Sequence, residues 1–493
     1  MSTLFSFNTI PANLRVPGFY AELDASQANS GEMLHKLLVV GQRLSTGSVA
    51  ALVPTRLTTV DEARKYFGYG SMLTAMLEKA FENHPSMDVW AIALDDVAQP
   101  SGGIAASGLL TLTGAASTSG VIKLTIAGTK VTVGVTKDQT DAAMASAIVT
   151  QINATGGLSV IAAVNGTNAN QVDFTARHTG EVMNDVVITV QFDATVTPTA
   201  PLFSTDGRIQ LAGGATNPDL TPVLSVMGDE WYRWMICPYT DTDNLVRLEA
   251  AQDDRFNPVR SIGFRAFTAF RGTYGQAATH GDARNGMHVT CMGTGNAPQP
   301  AYLWAAANGA AAANELAKDP TRQLRSIKLR GITPPAVDER IQFTQRNLLL
   351  FDGISTYTVG SDDSVYIESQ ITMYQENAQG LADDSLLYLN VPEWYEMYRY
   401  EQRVLFAPYA RYKLAEDSPD LPAGQPIMTP KKAKALLESW YREHMVGTLG
   451  WCEQPDEYHA DVVKNGNRLE IIDYPNEVEN LRQTYIRSVK AKA

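Results

Sequence analysis

The sequence predicts an α/β core, in which helices cover a mixed sheet, with a mainly β (α+β) inserted domain and extended strand arms at both termini. Short continuous apolar segments alternate with helical patterns, which is typical of a largely covered sheet. Between two glycine-rich segments the pattern changes to β-branched residues with period-2 alternation. The first twenty residues alternate apolar positions around Pro11 and Pro17, and the basic tail TYIRSVKAKA is able to form a strand.

These changes of pattern divide the chain. At 493 residues it exceeds what one hydrophobic core usually supports. The predicted parts are an N-terminal arm (1–20), a discontinuous α/β core domain (21–99 and 216–325), an inserted β-rich domain (100–215), a C-terminal core domain (326–480) and a C-terminal arm (481–493).

The core domain begins with a β-α-β pattern. KLLVVGQ (36–42) and DVWAIAL (88–94) are predicted buried strands on either side of one helix over 58–83, with Thr59 as its N-cap. After the insertion, Asp241 is expected to begin a helix. Strands are then predicted within 260–269 and 286–293, followed by an alanine-rich helix over 300–318.

The insertion contains five β-branched segments and one helix over 138–155, capped by either Asp138 or Thr140. Beyond residue 325 we expect a strand, a helix, a hairpin over 353–374 and two long helices. The second of these starts at Thr429 and Pro430 and is predicted to stop at Gly447.

Composition excludes several classes of function. The net charge of −13 opposes binding to phosphate backbones, so we expect no nucleic acid as a partner. Three widely spaced cysteines indicate buried thiols in a reducing compartment. No apolar run approaches the ~20 residues that span a bilayer, and the N-terminus lacks the pattern of a signal peptide. We therefore expect folding in the cytoplasm and no membrane contact by the subunit.

Candidate catalytic and binding motifs are weak. Gly293 and Gly295 form a GxG after a strand, but Ala297-Pro298 replaces the third glycine of a dinucleotide-binding turn. The histidines lack metal-ligand spacing, and we expect His280 and His288 in loops or at the surface. We predict no enzymatic activity, no catalytic residue, no cofactor and no metal site.

The segment RNLLLFDGISTYTV (346–359) poses the question of a reactive turn, because Asp352 and Ser355 flank Gly353. A helix that turns sharply into a strand places glycine after its last turn, where positive φ costs glycine little. We expect Ser355 inside a strand, with no base in reach, and Asp352 bonded to nearby backbone.

Several long segments of the sequence resemble the tail sheath protein of contractile-tailed, Mu-like bacteriophages. The most specific lie at 329–359 (LRGITPPAVDERIQFTQRNLLLFDGISTYTV), 367–391 and 411–437. The segments 6–28 and 66–81 are similar to the family's opening arm and first helical block. Two pieces of the insertion are similar to its small outer domain.

The resemblance implies a structural subunit of a virion tail sheath, assembled in the host cytoplasm. It implies hexameric rings stacked helically around a tail tube, with a contraction that drives the tube through the host envelope. The implied partners are other copies of the chain, the tail tube protein, and baseplate and tail terminator proteins. In this family the two arms add strands to sheets of neighbouring subunits.

Strand addition satisfies backbone groups that a lone arm leaves unpaired. The predicted inter-subunit arm residues are Leu4, Phe5, Phe7, Ile10, Tyr485, Ile486 and Val489. The alternative is that both termini pair within their own subunit. The helix over 430–446 is a candidate tube-facing element through Lys431, Lys432, Lys434, Arg442 and Glu443, and a solvated helix face is an equally good interpretation.

Two other functions compete with a phage tail sheath. The chain could be the sheath of a headless contractile particle, such as a bacteriocin or a secretion apparatus, which the sequence separates poorly from a phage. The inserted domain could instead carry a surface-binding module, although its strands are poor in aromatic residues for sugar stacking.

Overall fold

A computed structural model describes residues 35–84, 88–192, 207–418 and 425–488. Leu4, Phe5, Phe7, Ile10 and Val489, all predicted arm residues, lie outside these segments. None of the helices in the described segments is long and apolar enough to cross a membrane.

The helices and strands follow one another in four stretches of the chain. The first contains β1 (Lys36–Gln42), β2 (Thr55–Leu57), α1 (Val60–Phe67), α2 (Met72–Asn83) and β3 (Asp88–Leu94). The second contains β4 (Ala105–Thr111), β5 (Gly120–Ile126), β6 (Thr129–Val135), α3 (Asp141–Ala154), β7 (Val160–Val164), β8 (Gln171–Thr179), β9 (Val187–Phe192) and β10 (Arg208–Gln210). The third contains α4 (Thr221–Val226), β11 (Trp234–Ile236), α5 (Thr242–Phe256), β12 (Arg265–Arg271), α6 (Tyr274–Asp282), β13 (Val289–Gly295), α7 (Ala301–Lys318), β14 (Lys328–Leu329), α8 (Phe343–Leu349), β15 (Ile354–Val359) and β16 (Val365–Ser369). The fourth contains α9 (Asn390–Phe406), β17 (Lys413–Leu414), β18 (Ile427–Met428), α10 (Pro430–Trp440), a π-helix (Tyr441–Leu449), β19 (Ala460–Asn465) and β20 (Arg468–Asp473).

A nine-stranded mixed sheet forms the centre, in the order β14-β16-β15-β13-β12-β11-β1-β3-β2. The six strands from β15 to β3 in this order pair in parallel, and β2, β14 and β16 join antiparallel. Helix α7 packs closely on this sheet, because a Cβ on Gly309 would lie only 2.7 Å from Ile236 Cγ1. The mixed sheet covered by helices is therefore as the sequence predicts.

The predicted helix over 58–83 is two helices. Thr59 caps α1 as expected and forms a capping box with Glu62. The chain then turns at Gly68 and Gly70, with φ of 89° and 93°, and Ser71 begins α2. Positive φ is accessible to glycine at little cost, so this pair breaks the helix where the apolar pattern alone predicts continuity.

The inserted stretch forms two sheets of its own, β10-β9-β5-β6 and β4-β8-β7. Thr140, rather than Asp138, caps α3. The chain enters and leaves this stretch at adjacent points, since Ile104 and Ala215 exchange two backbone hydrogen bonds of 3.1 Å. The domain boundaries at 100 and 215 stay predictions.

The domain boundary at residue 325 stays a prediction, and β14, β15 and β16 beyond it continue the same nine-stranded sheet as β1. One expectation for the C-terminal half is wrong. The helix begun by Thr429 does not stop at Gly447 but continues as a π-helix and ends at Gly450, with φ of 67°. Helix α6 is not predicted from the sequence, although its N-terminus has a capping box between Thr273 and Gln276.

A buried ion cluster joins α9 to the central sheet. Arg233 Nε donates to Glu393 Oε1, and Arg265 Nε lies 3.5 Å from Glu393 Oε2. All three side chains are at most 1 % exposed. Trp234 Nε1 also donates to Glu393 Oε1 at 3.1 Å. Buried charges are tolerated only when they are paired and hydrogen-bonded. Here the carboxylate of Glu393 pairs with both Arg233 and Arg265.

Neutral histidines complete this cluster. Arg233 donates to His35 Nδ1 at 2.7 Å, and Arg265 donates to His288 Nδ1 at 2.8 Å. Burial lowers the pKa of His35 to about 4, and burial together with Arg265 and Arg399 holds the pKa of His288 well below its usual range. Both rings therefore act as acceptors for the arginines at neutral pH.

Replacing Glu393 by leucine is expected to lower the free energy of unfolding by about 3–5 kcal/mol, because two buried arginines lose their carboxylate. Glu416→Leu, which removes the exposed partner of Lys464, should cost less than about 1 kcal/mol. Urea-unfolding midpoints of the parent and the two variants measure this difference. Equal shifts would show that the buried cluster contributes no more to the free energy of unfolding than the exposed ion pair does.

Candidate functional site

The chain after β20 returns to the core and is fixed there by side chains. Asn476 N–H donates to the Tyr441 hydroxyl at 2.9 Å. Glu477 Oε1 accepts from Asn390 Nδ2 at 3.4 Å, and burial raises the pKa of Glu477 to about 7. Further along, Asn480 Nδ2 donates to the carbonyl of Thr321 at 2.8 Å. The tail therefore leaves the hairpin along a defined path.

The last described residue of the tail that hydrogen-bonds to the core is Arg482, and we call its contacts the tether. Its carbonyl accepts from Arg325 Nη1 at 3.0 Å, and its guanidinium lies over the ring of Tyr388. Beyond it, Tyr485 and Ile486 are 87 % and 83 % exposed and belong to no strand. Large apolar side chains are rarely left this exposed in adjacent positions without a partner surface. The start of the C-terminal arm at residue 481 stays a prediction, and the exposed Tyr485 and Ile486 follow the contacts of Arg482.

Strands β19 and β20 form an antiparallel hairpin separate from the central sheet. Among the described residues they pair only with each other, so neither outer edge has a strand partner there. One face is half-buried, and the other exposes Val463 and Ile472 at 55 % and 62 %. An isolated two-stranded sheet is marginally stable in water, and added strands stabilise it.

The alternation in RLEIIDYP (468–475) predicts β20, whereas β19 is not predicted from the sequence. The available signal was Gly466-Asn467, which lies between the two strands and favours a two-residue hairpin turn. Gly466 has a φ of 61°, as such a turn requires.

The predicted tube-facing residues occupy one continuous helical segment, α10 with its π-helical extension. The apolar face of α10 is buried through Ala433, Leu437 and Trp440. The charged side chains have partners of different kinds: Lys432 donates to the carbonyl of Ile427 at 3.0 Å, and Arg442 pairs with Asp456 at 3.0 Å. Lys431, Arg442 and Glu443 are exposed and Lys434 is half-buried. Their contact with a tube stays a prediction.

The residues considered for a catalytic or nucleotide-binding role are packed or hydrogen-bonded within the fold. Ser355 is buried in β15, where its hydroxyl accepts from Ile371 N–H at 2.9 Å and donates to Ile371 C=O at 3.1 Å. Burial, followed by the charge of Asp282, raises the pKa of Asp352, and the expected bond of its carboxyl to nearby backbone stays a prediction. Gly293 is a close-packed position, since a Cβ there would lie 2.9 Å from Ile354 Cγ2.

The histidine expectation is wrong for His280, which lies in α6, whereas His288 lies in the turn before β13 and is buried there at 2 % exposure. His280 stacks on Phe270 with ring centroids 4.5 Å apart, and burial lowers the pKa of His280 to about 4. Within the described segments, no three His, Cys, Asp or Glu side chains come together in a way that could hold a metal ion.

Comparisons with known proteins identify the family. Residues 213–373 match the family model described as the phage tail sheath protein central domain. The chain is 36 % identical over 442 residues to the Mu-like prophage FluMu tail sheath protein of Haemophilus influenzae, an alignment covering 89 % of each chain. The chain therefore belongs to the phage tail sheath protein family.

Solved structures are similar over most of the chain at low identity. The sheath tail protein of Desulfitobacterium hafniense is 11 % identical, with 94 % of this chain and 100 % of that chain covered and a TM-score of 0.46. A chain of the anti-feeding prophage baseplate is 12 % identical, with coverages of 97 % and 100 % and a TM-score of 0.49. Likenesses this weak carry no conclusion of their own, so family membership rests on the sequence relative and the family model.

The tether at Arg482 predicts the order in which trypsin cleaves the C-terminal tail. In the unassembled protein, trypsin should cleave after the exposed Arg487 well before Arg482, because cleavage requires locally free backbone. In Asn480→Ala, which removes two hydrogen bonds to 321–323, cleavage after Arg482 should become as fast as after Arg487. Intact-mass spectrometry over time measures both rates, and early cleavage after Arg482 in the parent protein would contradict the tether.

Proposed function

We propose that this chain is the subunit of a contractile tail sheath, assembling as stacked hexameric rings around a tail tube and contracting to drive the tube through the host envelope. The family supplies the class of protein. The observation that carries the assembly mechanism is the hairpin β19–β20, whose two outer edges have no strand partner among the described residues.

The arms are the proposed partners for these edges. Among the described residues beyond Arg482, Tyr485 and Ile486 are exposed, and the first residues of the chain have the alternating pattern of a strand. A strand from one copy that pairs with the hairpin of another satisfies backbone groups on both. Leu4, Phe5, Phe7 and Ile10 would serve the N-terminal arm, and Tyr485, Ile486 and Val489 the C-terminal arm.

The energy of one such contact is small. A net contribution of about 1 kcal/mol per hydrogen bond gives only a few kcal/mol for a short added strand. Each subunit would both donate strands and accept them. The number of strand contacts, and with it their total free energy, therefore grows with every subunit in a closed ring and in the rings above and below it. Assembly is then cooperative, while a single subunit stays folded and unpolymerised at low concentration.

No catalytic step is part of this function, and the output is mechanical work. The tube protein would contact the core, with α10 and its π-helical extension as the candidate element through Lys431, Lys432, Lys434, Arg442 and Glu443. Baseplate and tail terminator proteins would bind the two ends of the sheath. The assembled subunit would be part of the particle's tail after assembly in the host cytoplasm.

Expression of the chain alone is expected to give striped hollow tubes in negative-stain electron microscopy, since sheath subunits of this type often polymerise without a tube. Deleting residues 1–12 or 483–493 should abolish the tubes, because the donated strands are lost. The second deletion keeps Arg482 and hence the tether.

Circular dichroism and size-exclusion chromatography provide the control that the shortened chains stay folded. Tubes formed by both shortened chains would overturn the strand-exchange mechanism. Failure of the full-length chain to assemble, with or without a tube protein, would overturn the sheath function itself.

A further inference from the structure

The docked part of the C-terminal tail, residues 476–482, contains a half-buried carboxyl, that of Glu477. The backbone of Glu477 forms an antiparallel β-bridge with the buried Cys452. The next residue continues this contact, since Val478 N–H donates to the carbonyl of Trp451 at 3.3 Å. The carboxyl of Glu477 therefore stays half-buried for as long as this part of the tail is docked.

The direct hydrogen-bond partner of this carboxyl is neutral. Glu477 Oε1 accepts from Asn390 Nδ2 at a long 3.4 Å, and the carboxyl forms no salt bridge within the described part of the chain. Arg482 is near enough to act on it electrostatically, but that guanidinium lies over the ring of Tyr388 and also faces Asp384. The water that an ionised Glu477 loses on docking is therefore only partly replaced by protein contacts.

The other titratable groups around Glu477 add no positive charge. Glu479 of the tail, Tyr395 of α9 and Cys452 all interact with it electrostatically. Burial, with a further contribution from Glu479, raises the pKa of Glu477 from its ordinary 4.5 to about 7, although Arg482 acts in the opposite direction. The docked tail thus favours the protonated carboxyl, whereas an undocked tail has no such preference.

We propose that Glu477 makes the tether of the C-terminal tail sensitive to pH, closed when its carboxyl is protonated and opened as that carboxyl ionises. Because the docked form has the higher pKa, docking is strongest below pH 4.5 and weakens progressively until the pH has passed about 7. Opening would add residues 477–482 to the free arm, about 20 Å of extended chain. This gain in reach matters for strand exchange and so rests on the proposed function, whereas the response of the tether to pH does not.

Limited proteolysis of the unassembled full-length chain tests the tether. Trypsin cleaves after Arg482 when the tether is open, and cleavage after the exposed Arg487 in the same molecules corrects for the effect of pH on trypsin itself. We expect the ratio of the two rates, Arg482 over Arg487, to rise about tenfold from about pH 6 to about pH 8. Intact-mass spectrometry over time measures both rates.

Two variants separate the buried carboxyl from the net charge of the tail. Glu477→Gln keeps the shape of the side chain but cannot ionise, so its ratio should stay at or below the parent's value at about pH 6 and should not change with pH. Glu479→Gln removes an exposed carboxyl two residues further along and should keep the rise. Circular dichroism shows whether both variants are folded, and the parent's own ratio tests the proposal without either of them.

A parent ratio that is equal at both pH values, or a rise that persists in Glu477→Gln, would overturn the pH-sensitive tether. Both results concern the unassembled chain, so they would leave the sheath function standing. A chain that shows the expected rise but never forms tubes, with or without a tube protein, would refute the sheath function while the response of the tether to pH stands.

Discussion

Glu393 is the contact on which the attachment of α9 to the central sheet depends. Its carboxylate lies between Arg233, just before β11, and Arg265, the first residue of β12, and so fixes α9 to two strands of the central sheet. From α9 the connection continues outward, because the Tyr398 hydroxyl donates to Asp473 at 2.6 Å at the end of β20. Polar contacts of α9 therefore link the hairpin to the central sheet. Buried ion pairs add little net stability, but they specify one orientation.

Local sequence signals predicted the elements well where the deciding atoms are close in the chain. The caps at Thr59, Asp241 and Thr429 are examples, since each side chain accepts a hydrogen bond from the backbone three residues later. The ends of elements were harder to predict. Gly68 and Gly70 break a continuous apolar pattern, and the π-helix passes Gly447 because glycine permits a stop without requiring one.

The candidate site could be predicted only in part, because its contacts join distant parts of the sequence. Glu393 and Arg233 are 160 residues apart, and no spacing rule connects a helical glutamate to an arginine before a strand. The strand-forming tail predicts Tyr485 and Ile486 as arm residues, which stays a prediction, whereas the tether at Arg482 depends on residues near 321–325. The alanine-rich α7 and the buried strands needed only their own composition.

Cryo-electron microscopy of the assembled chain measures strand exchange most directly. We expect residues 483–493 of one subunit and the first residues of another to lie as added strands on the two outer edges of β19–β20 in a third. Both segments folded onto the sheets of their own subunit, with the hairpin edges unpaired in the assembly, would contradict strand exchange between copies.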